Sequence, residues 1–323
     1  MTRILVTGSE GFVGRHLTAA IAARGVERVG VDLPGTGADI EVDLAERGFE
    51  PDALVRAAPD VDAVIYMAAK ITRGSSVDAA ARDNLRCIAE APVRLMEAYV
   101  AQRGAGAGRP PHLVLCSTFK MYGPPRDDRP VDPADPPQSP DPHSYGSAKF
   151  LAERLLEIGS ARSGFSFAVV RPSCIYGPGQ HGHNAIPRFL RAALAGERPV
   201  VFGDGTSLRD DVFAPDLASL MLEAALQGAH GAFHACGESS RTIADVARVC
   251  CEAVEVEGGP KLSAQLDPSR EPKWWIDQRF DREPSEQVLS YVPTDLLEGL
   301  RRQVRWMKAG EDPKDTARFG RPE

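Results

Sequence analysis

Short apolar runs alternate with longer amphipathic segments through the first half of this chain. The runs are rich in Val, Ile and Leu, as buried strands are, and they lie at Ile4–Val6, Arg28–Val31, Val64–Met67, Leu113–Cys116 and Phe167–Val170. Between them, apolar residues recur at helical spacing. Such alternation is typical of a parallel sheet that helices cover on both faces. The pattern therefore predicts an α/β fold with a doubly wound parallel sheet.

The first apolar run leads into a glycine-rich turn. Gly8, Gly11 and Gly14 follow Ile4–Val6, and an apolar helical pattern follows them. Glycines at such a turn let the backbone approach a pyrophosphate, and the N–H groups at the start of the helix can bind its oxygens. Asp32 ends the second strand, where a carboxylate binds ribose hydroxyls and repels a 2′-phosphate. The segment predicts a dinucleotide site that prefers NAD to NADP.

A tyrosine and a lysine lie four residues apart at the start of a later helical segment. Tyr145 and Lys149 share one helix face because of this spacing. Tyrosine titrates near ~10, and a nearby cation favours the phenolate and lowers that pKa. The pair therefore predicts a proton donor and acceptor for an alcohol or a carbonyl, although the spacing also occurs on ordinary surface helices.

Size, charge and cysteine usage narrow the class of protein. The chain has 323 residues and a net charge of −7, which gives no general affinity for nucleic acid or anionic membranes. It has no run of about 18 apolar residues and no signal-peptide core. Six cysteines without a Cys-x-x-Cys pair predict reduced thiols in the cytoplasm. His181 and His183 lack a third ligand pattern nearby, so no metal site is predicted.

The glycine spacing and the Tyr-x-x-x-Lys pair together resemble the short-chain dehydrogenase/reductase superfamily. The length and the C-terminal motifs resemble its extended branch, which includes nucleotide-sugar epimerases and dehydratases. This resemblance implies a Rossmann-type NAD-binding domain over residues 1–171 with a returning segment at about 212–236, including a strand near Ala232–Cys236. It implies a smaller substrate-binding domain over 172–211 and 237–323. We also expect an amphipathic helix from Leu296 to Trp306.

The resemblance also assigns the cofactor site residue by residue. Asp43 and Leu44 follow a third short strand and are expected against the adenine, while the small Ala68 and Ala69 let the backbone pass close to the cofactor. Tyr66 replaces a histidine of the family. The full set of expected NAD-binding residues is Gly8, Gly11, Phe12, Val13, Gly14, Asp32, Asp43, Leu44, Ala68, Ala69, Tyr145 and Lys149.

The segment Ser117 to Gly123 resembles the family's catalytic signature Ser-Ser/Thr-x-x-Val-Tyr-Gly, which places the catalytic hydroxyl at Thr118. The resemblance then implies a triad. Tyr145 is the acid and base, Thr118 orients the substrate oxygen, and Lys149 binds the nicotinamide ribose and lowers the pKa of Tyr145. The alternative for Ser117 and Thr118 is that they only terminate a strand.

Two residues after Thr118 depart from the eliminating members of the family. The 4,6-dehydratases carry Asp-Glu there, and the decarboxylases usually carry Glu at the second position, whereas this chain has Phe119 and Lys120. Elimination is therefore disfavoured. Lys120 either meets an anionic substrate group, such as a uronate carboxylate, or is solvated.

Three residues of the second half resemble substrate contacts. Cys174 replaces the Asn of Arg-x-x-Asn-x-Tyr-Gly-Pro, and is either a small buried residue or a reactive thiol. Arg209 lies in a segment similar to Gly-Asp-Gly-x-x-x-Arg-Asp and would hold the diphosphate or the nucleoside, with Arg270 as a second phosphate ligand. A surface salt bridge is the alternative for either arginine. Asp216 is predicted to cap a helix.

The sequence thus favours an NAD-dependent nucleotide-sugar 4-epimerase that acts through a transient 4-keto sugar. The resemblance implies a nucleotide-diphosphate sugar as the partner molecule and a homodimer as the assembly. Three alternatives stay open. They are a sugar dehydrogenase or ketoreductase with the same triad, a dehydratase or decarboxylase, and a non-catalytic NAD-binding scaffold.

Overall fold

A computed structural model describes residues 2–69, 79–104, 108–122, 129–136, 144–182, 184–270 and 277–312. The chain forms two compact units. The first comprises Met1–Gly123, Ala134–Pro172 and Ala218–Phe233, and the second comprises Pro124–Pro133, Ser173–Leu217 and His234–Glu323. Within the described residues, no helix is both long and apolar enough to cross a membrane.

A seven-stranded sheet forms the centre of the first unit. In spatial order its strands are β11 (Gly231–Ala235), β6 (Phe167–Pro172), β5 (His112–Cys116), β4 (Ala63–Tyr66), β1 (Arg3–Thr7), β2 (Glu27–Asp32) and β3 (Ile40–Glu41). From β3 to β6 every neighbouring pair is parallel. The inner strands are buried along their length, which explains why they read as continuous apolar runs.

Strand β1 lies between β2 and β4, so the order of the strands reverses at β1: β2 and β3 follow on one side of it and β4, β5 and β6 on the other. Leu5 is in register with Val29 of β2 and with Val64 of β4. Loops at the carboxyl ends of such neighbouring strands diverge and open a crevice, which is where parallel α/β sheets bind their ligands. The glycine turn after β1 and the Met67–Ala69 segment after β4 border this crevice.

Helices cover the sheet of the first unit. They are α1 (Phe12–Ala23), α2 (Pro51–Ala57), α3 (Ala79–Leu85), α4 (Ala91–Arg103), α5 (Ser144–Ser163) and α7 (Ala214–Gln227). A π-helical turn, Arg86–Glu90, separates α3 from α4, and a 3₁₀ turn, Phe119–Met121, follows β5. The hydrophobic core includes Leu5, Val64 and Leu113 of the sheet together with Leu95 and Leu156 of α4 and α5.

The described residues of the second unit form short strands and four helices. Its strands pair as β7 (Cys174–Tyr176) with β10 (Asp211–Phe213), β8 (Val200–Phe202) with β13 (Gln265–Asp267), and β9 (Leu208–Arg209) with β12 (Arg241–Thr242). The helices are α6 (Ala185–Leu194), α8 (Ile243–Val256), α9 (Glu283–Leu289) and α10 (Leu296–Lys308). Residues of α6, α8 and α10 form its core, with Phe189, Val246 and Leu300 all buried.

The structure confirms the doubly wound parallel sheet, the returning strand and the C-terminal amphipathic helix. The prediction for Asp216 was wrong. Its helix α7 begins at Ala214, so Asp216 lies inside the first turn, where its carboxylate accepts hydrogen bonds from the backbone N–H and the hydroxyl of Thr294. None of the six cysteines, which all lie in the described residues, forms a disulfide bond.

Candidate active site

The glycine turn after β1 is packed too closely for side chains. Gly8 has a φ of 76°, in the left-handed region, and a Cβ there would lie 3.2 Å from the backbone nitrogen of Ala68. A Cβ on Gly14 would lie 2.1 Å from the carbonyl oxygen of Gly8. Helix α1 therefore starts directly against the turn. Its N-cap is Gly11, which makes no side-chain capping hydrogen bond, so no side-chain cap occupies the first N–H groups of the helix, including those of Phe12 and Val13.

The carboxylate of Asp32 is held at the end of β2. Its Oδ2 accepts a hydrogen bond from the backbone N–H of Glu10 at 2.8 Å, and its Oδ1 accepts one from the N–H of Leu33 at 2.8 Å. The first bond ties Asp32 to the glycine turn. Each oxygen keeps a second lone pair for a ribose hydroxyl.

Two other predicted cofactor segments border the same sheet edge. Asp43 follows β3, and its Oδ1 accepts a hydrogen bond from the N–H of Ala45, while Leu44 packs into the hydrophobic core. Ala68 donates its N–H to the hydroxyl of Thr7 at 3.2 Å, and Ala68 and Ala69 are both half-buried. These contacts fix the backbone of both segments.

These features fit a dinucleotide. The turn leaves no space for a Cβ at Gly8 or Gly14, the start of α1 lacks a side-chain cap, and a fixed carboxylate ends β2. The residues that would hold NAD are those of the turn, Asp32, and the segments at Asp43 and Ala68.

The three predicted catalytic residues lie in the first unit, on two neighbouring elements. Thr118 is the N-cap of the 3₁₀ turn that follows β5, and its hydroxyl accepts the N–H of Lys120 at 3.3 Å. Tyr145 and Lys149 occupy the first turns of α5, as the spacing predicted. The side-chain nitrogen of Lys149 lies 5.9 Å from the centre of the Tyr145 ring.

Lys149 is fully buried, with 1% of its surface exposed. Its Nζ donates a hydrogen bond to the carbonyl oxygen of Cys116 at 2.5 Å, and no carboxylate within the described residues forms an ion pair with it. Burial lowers the pKa of Lys149, while Cys116, Cys87 and Glu153 act in the opposite direction. The part of the chain that the structure describes thus leaves this cation without a neutralising ion pair.

The pKa of Tyr145 differs in direction from the expectation drawn from Lys149 alone. Burial raises the pKa of Tyr145 above its usual value, and Cys116 adds to this increase. The physical reason is that a phenolate is poorly solvated here, while the Lys149 ammonium is hydrogen-bonded to a backbone carbonyl. In this arrangement the hydroxyl of Tyr145 is a proton donor.

A buried polar network that sequence reasoning missed lies beside the triad. Glu153, one helical turn after Lys149, forms an ion pair with Arg171 at 2.6 Å. Ser117 donates its hydroxyl to Glu153 Oε1 at 2.5 Å, and Arg171 Nη1 donates to the Tyr122 hydroxyl at 2.5 Å. The available signal was that Glu153 continues the helix face of Tyr145 and Lys149 at i+4 spacing.

Tyr66 and Phe119, which replace family residues, are both buried. Tyr66 donates its hydroxyl to the carbonyl of Cys87 in the π-helical turn at 2.6 Å, so it occupies a packing position. Phe119 is buried in the 3₁₀ turn, and Lys120 beside it is half-buried.

Among the predicted substrate residues in the second unit, Arg209 has a buried partner. Its Nε donates to Asp211 Oδ2 at 2.8 Å, its Nη2 donates to Oδ1 of the same carboxylate, and the two side chains are 12% and 4% exposed. The pKa of Arg209 is raised: burial acts to lower it, and Asp211 outweighs that effect. Cys174 is half-buried, and its thiol donates to Gln278 Oε1 at 3.6 Å.

Arg270, in contrast, is exposed. It pairs with Asp267 at 3.2 Å, and its guanidinium carbon lies 5.0 Å from the centre of the Phe202 ring. Arg188 lies over the same ring at 4.7 Å and forms no ion pair within the described residues. Burial lowers the pKa of Arg188, and the charge of Arg270 lowers it further. Both guanidinium groups therefore lie over Phe202, and Asp267 neutralises part of their positive charge.

Within the described residues, no group of three or more His, Cys, Asp or Glu side chains is arranged to hold a metal ion. His181 is exposed and lies 3.7 Å from Glu311, while His183 is outside the described residues.

Comparison with known proteins identifies a family. Residues 4–236 match the family described as "NAD dependent epimerase/dehydratase family". The chain is 26% identical over 331 residues to dTDP-4-dehydro-6-deoxy-D-allose reductase of Streptomyces bikiniensis, covering 94% of this chain and 96% of the relative. It is 28% identical over 343 residues to UDP-glucose 4-epimerase of Azospirillum brasilense, covering 96% and 93%.

The solved structures agree with these relatives. MoeE5 in complex with UDP-glucuronic acid and NAD superposes with a TM-score of 0.75 at 29% identity, covering 95% of this chain and 99% of MoeE5. The neighbours are thus NAD-dependent nucleotide-sugar epimerases and related reductases and dehydratases.

Proposed function

Since the chain belongs to the NAD dependent epimerase/dehydratase family, we propose that it is a nucleotide-sugar 4-epimerase that works through a transient 4-keto sugar. NAD, when bound, supplies the two-electron acceptor for the sugar alcohol and afterwards the donor that reduces the ketone. This chain's own residues bind the cofactor, position the sugar and move the proton.

The observation that carries the proposal is the arrangement of Thr118, Tyr145 and Lys149 in the first unit. Tyr145 Oη takes the proton of the sugar hydroxyl during oxidation and returns it when the ketone is reduced. Thr118, which caps the 3₁₀ turn beside β5, orients the reacting oxygen. Burial raises the pKa of Tyr145, so the phenolate needs positive charge, and the Lys149 ammonium, which lacks a carboxylate partner within the described residues, supplies part of it.

The same segment argues against elimination of water. A 4,6-dehydratase of this family carries an acid pair directly after the catalytic threonine, whereas Phe119 is apolar and buried and Lys120 is cationic. Neither position carries the carboxyl group that the dehydratases of the family have there. We therefore place dehydration and decarboxylation below epimerisation.

Substrate binding by the second unit is part of the proposal. Arg188 and Arg270 both lie over the ring of Phe202, and Arg188, which forms no ion pair within the described residues, is the cation we propose for the diphosphate, with Arg270 beside it. Arg209 is already paired with Asp211, so we propose that it acts on the nucleotide only through donors that this pair leaves free. Cofactor binding is proposed for residues 1–171 and about 212–236, and substrate binding for 172–211 and 237–323.

A net reductase is the second candidate. The relative from Streptomyces bikiniensis is a dTDP-4-dehydro-6-deoxy-D-allose reductase. It is 26% identical to this chain, and the alignment covers 94% of this chain. Reduction of a 4-keto sugar uses the same hydroxyl and phenol as epimerisation. The two candidates therefore differ in what happens to the cofactor and not in the catalytic residues.

The proposal is tested by incubating the purified protein with a panel of UDP- and dTDP-linked hexoses and uronic acids. The products are then identified by NMR. An epimerase converts at least one of them into its C4 epimer with NAD in catalytic amounts and without net NADH. Stoichiometric formation or consumption of NADH, followed by its absorbance, would show the dehydrogenase or the reductase instead. Loss of the C6 hydroxyl from the product would show a dehydratase.

A further inference from the structure

A buried ion pair contacts the two segments that carry the three residues of the proposed triad. Glu153 is 1% exposed and Arg171 is 5% exposed, and two hydrogen bonds join them, from Arg171 Nε at 3.1 Å and from Nη2 at 2.6 Å. Glu153 belongs to α5 and Arg171 to the end of β6. The pair therefore joins the helix that carries Tyr145 and Lys149 to the central sheet.

Stability alone does not account for such a pair. Removing two charges from water carries a large desolvation cost, and replacing a buried ion pair with well-packed apolar residues is often neutral or stabilising. This pair also makes hydrogen bonds outside itself, to Ser117 and to Tyr122, and both partners are buried. The hydrogen bonds to Ser117 and Tyr122 therefore indicate that the pair has a role beyond stability.

The two outer hydrogen bonds hold both ends of one short segment. Ser117 directly precedes Thr118, and its hydroxyl donates to Glu153 Oε1 at 2.5 Å. Tyr122 ends the 3₁₀ turn that Thr118 begins, and its hydroxyl accepts from Arg171 Nη1 at 2.5 Å. The Glu153–Arg171 pair thus fixes the segment that carries the catalytic hydroxyl relative to the helix that carries the phenol.

Glu153 also affects the charge next to Tyr145. It lies one turn after Lys149 on α5, and its carboxylate favours the protonated form of that lysine. The other groups around Lys149 are Tyr145 on the same helix, Cys116 at the end of β5 and Cys87 in the π-helical turn. Among these, Glu153 is the carboxylate, and it offsets part of the lowering of the Lys149 pKa that burial causes.

We propose that Glu153, held by Arg171, is a positioning residue that sets the distance of the Thr118 hydroxyl from Tyr145 through Ser117 and Tyr122. This inference rests on the proposed function only in that Tyr145 and Thr118 act on a sugar oxygen. It applies equally to epimerisation and to reduction, because both need the phenol and the hydroxyl at the same oxygen.

Three variants remove one connection each: Ser117→Ala, Tyr122→Phe and Glu153→Gln. Glu153→Gln keeps the shape of the side chain and removes its charge. Ser160→Ala is the matched control, because Ser160 is on the same helix α5 and its hydroxyl donates to the backbone carbonyl of Phe165 at 2.6 Å, away from the triad. For each we would measure kcat, KM for the sugar nucleotide, the affinity for NAD and the melting temperature.

Ser117→Ala and Tyr122→Phe should each lower kcat by roughly ten- to a hundredfold, because small displacements of reacting groups have effects of this size. KM and the affinity for NAD should change little, since neither residue is predicted to touch a ligand. Glu153→Gln should in addition move the alkaline limb of the pH–rate profile to lower pH, because Lys149 loses protonation earlier. Ser160→Ala should lower the melting temperature with kcat unchanged.

Two results would overturn the inference: kcat within twofold of wild type in the folded Ser117→Ala and Tyr122→Phe proteins, or the same loss of kcat in Ser160→Ala. If the pH–rate profile of Glu153→Gln did not move, the proposed effect of Glu153 on the pKa of Lys149 would be wrong. Failure of the proposed function is recognised separately, because the wild-type protein then forms net NADH or a product other than a C4 epimer. The ratio of variant to wild-type rates can be measured for whichever reaction the wild-type protein catalyses.

Discussion

Lys149 of the first unit and Arg209 of the second were both expected to meet a ligand, yet their surroundings differ in charge. Lys149 is buried against a backbone carbonyl and a tyrosine ring, with no ion pair within the described residues. Arg209 is buried against the Asp211 carboxylate, which accepts two of its hydrogen bonds. The first cation is therefore available to a ligand, while the second is already neutralised in place.

This difference separates two uses of a buried cation. An unpaired ammonium beside a phenol costs stability and favours a negative charge nearby, which suits catalysis. A bidentate guanidinium–carboxylate pair fixes the local structure, here the junction of β9 and β10. Sequence motifs identify both residues, but they do not say which of them has a partner.

Removal of the Tyr145 hydroxyl should have the largest effect. Tyr145→Phe leaves the half-buried ring in place and removes the group that transfers the proton, so kcat should fall by about a thousandfold while NAD stays bound. Rates and cofactor content of the purified variant measure this.

Tyr99→Phe is the control for Tyr145→Phe. It removes a buried hydroxyl that donates to the carbonyl of Ala58, and it should cost about 1 kcal/mol of stability without loss of kcat. A Tyr145→Phe protein with wild-type turnover would contradict the assignment of the first unit as the catalytic one.

The second effect concerns the paired cation. Arg209→Met leaves the Asp211 carboxylate buried and unpaired, so the free energy of unfolding should fall by about 3–5 kcal/mol. The double variant Arg209→Met/Asp211→Leu should recover most of this loss, because both charges are then absent. Chemical denaturation of the two variants measures the difference, and an equally unstable double variant would argue against the pair as a structural element.

The third effect tests the close packing of the glycine turn. Gly14→Ala adds a Cβ that would lie 2.1 Å from the carbonyl oxygen of Gly8 and 2.6 Å from that of Ser9, so the turn must shift. We expect a loss of about 1–3 kcal/mol in stability together with weaker NAD binding. Gly48→Ala, with no atom within 4 Å of its added Cβ, is the control and should leave NAD binding unchanged.

The smallest effect is a pH dependence of stability. Burial lowers the pKa of Lys149 in the folded protein, so the unfolded chain binds more protons between that lowered value and the ordinary lysine pKa near 10.4. The contribution of Lys149 to the free energy of unfolding therefore rises with pH across that window. Relative to Lys149→Met, the wild-type protein should gain unfolding free energy as the pH rises toward about 10, as measured by denaturation at each pH.

An unchanged difference between wild type and Lys149→Met over this pH range would mean that Lys149 is solvated in the folded protein. The contrast with Arg209 would then rest on the Asp211 pair alone.

Much of the first unit was predictable because its signals are local. Apolar runs gave the strands, the glycine spacing gave the turn before α1, and the i+4 spacing placed Tyr145 and Lys149 on one face of α5. The second unit was less predictable. Asp216 is of a residue type that often caps helices, but it accepts hydrogen bonds from Thr294, 78 residues further along the chain.

The chain by itself determined which elements form and which residue types stand at their ends, because these depend on neighbours within a few positions. Only the tertiary structure decided the partners: Asp211 for Arg209, the Cys116 carbonyl for Lys149, and Glu153 for Ser117. The pKa of Tyr145 was decided at the same level, since burial raises it. The physical reason is that desolvation and ion pairing depend on distances through space, which the order of residues does not contain.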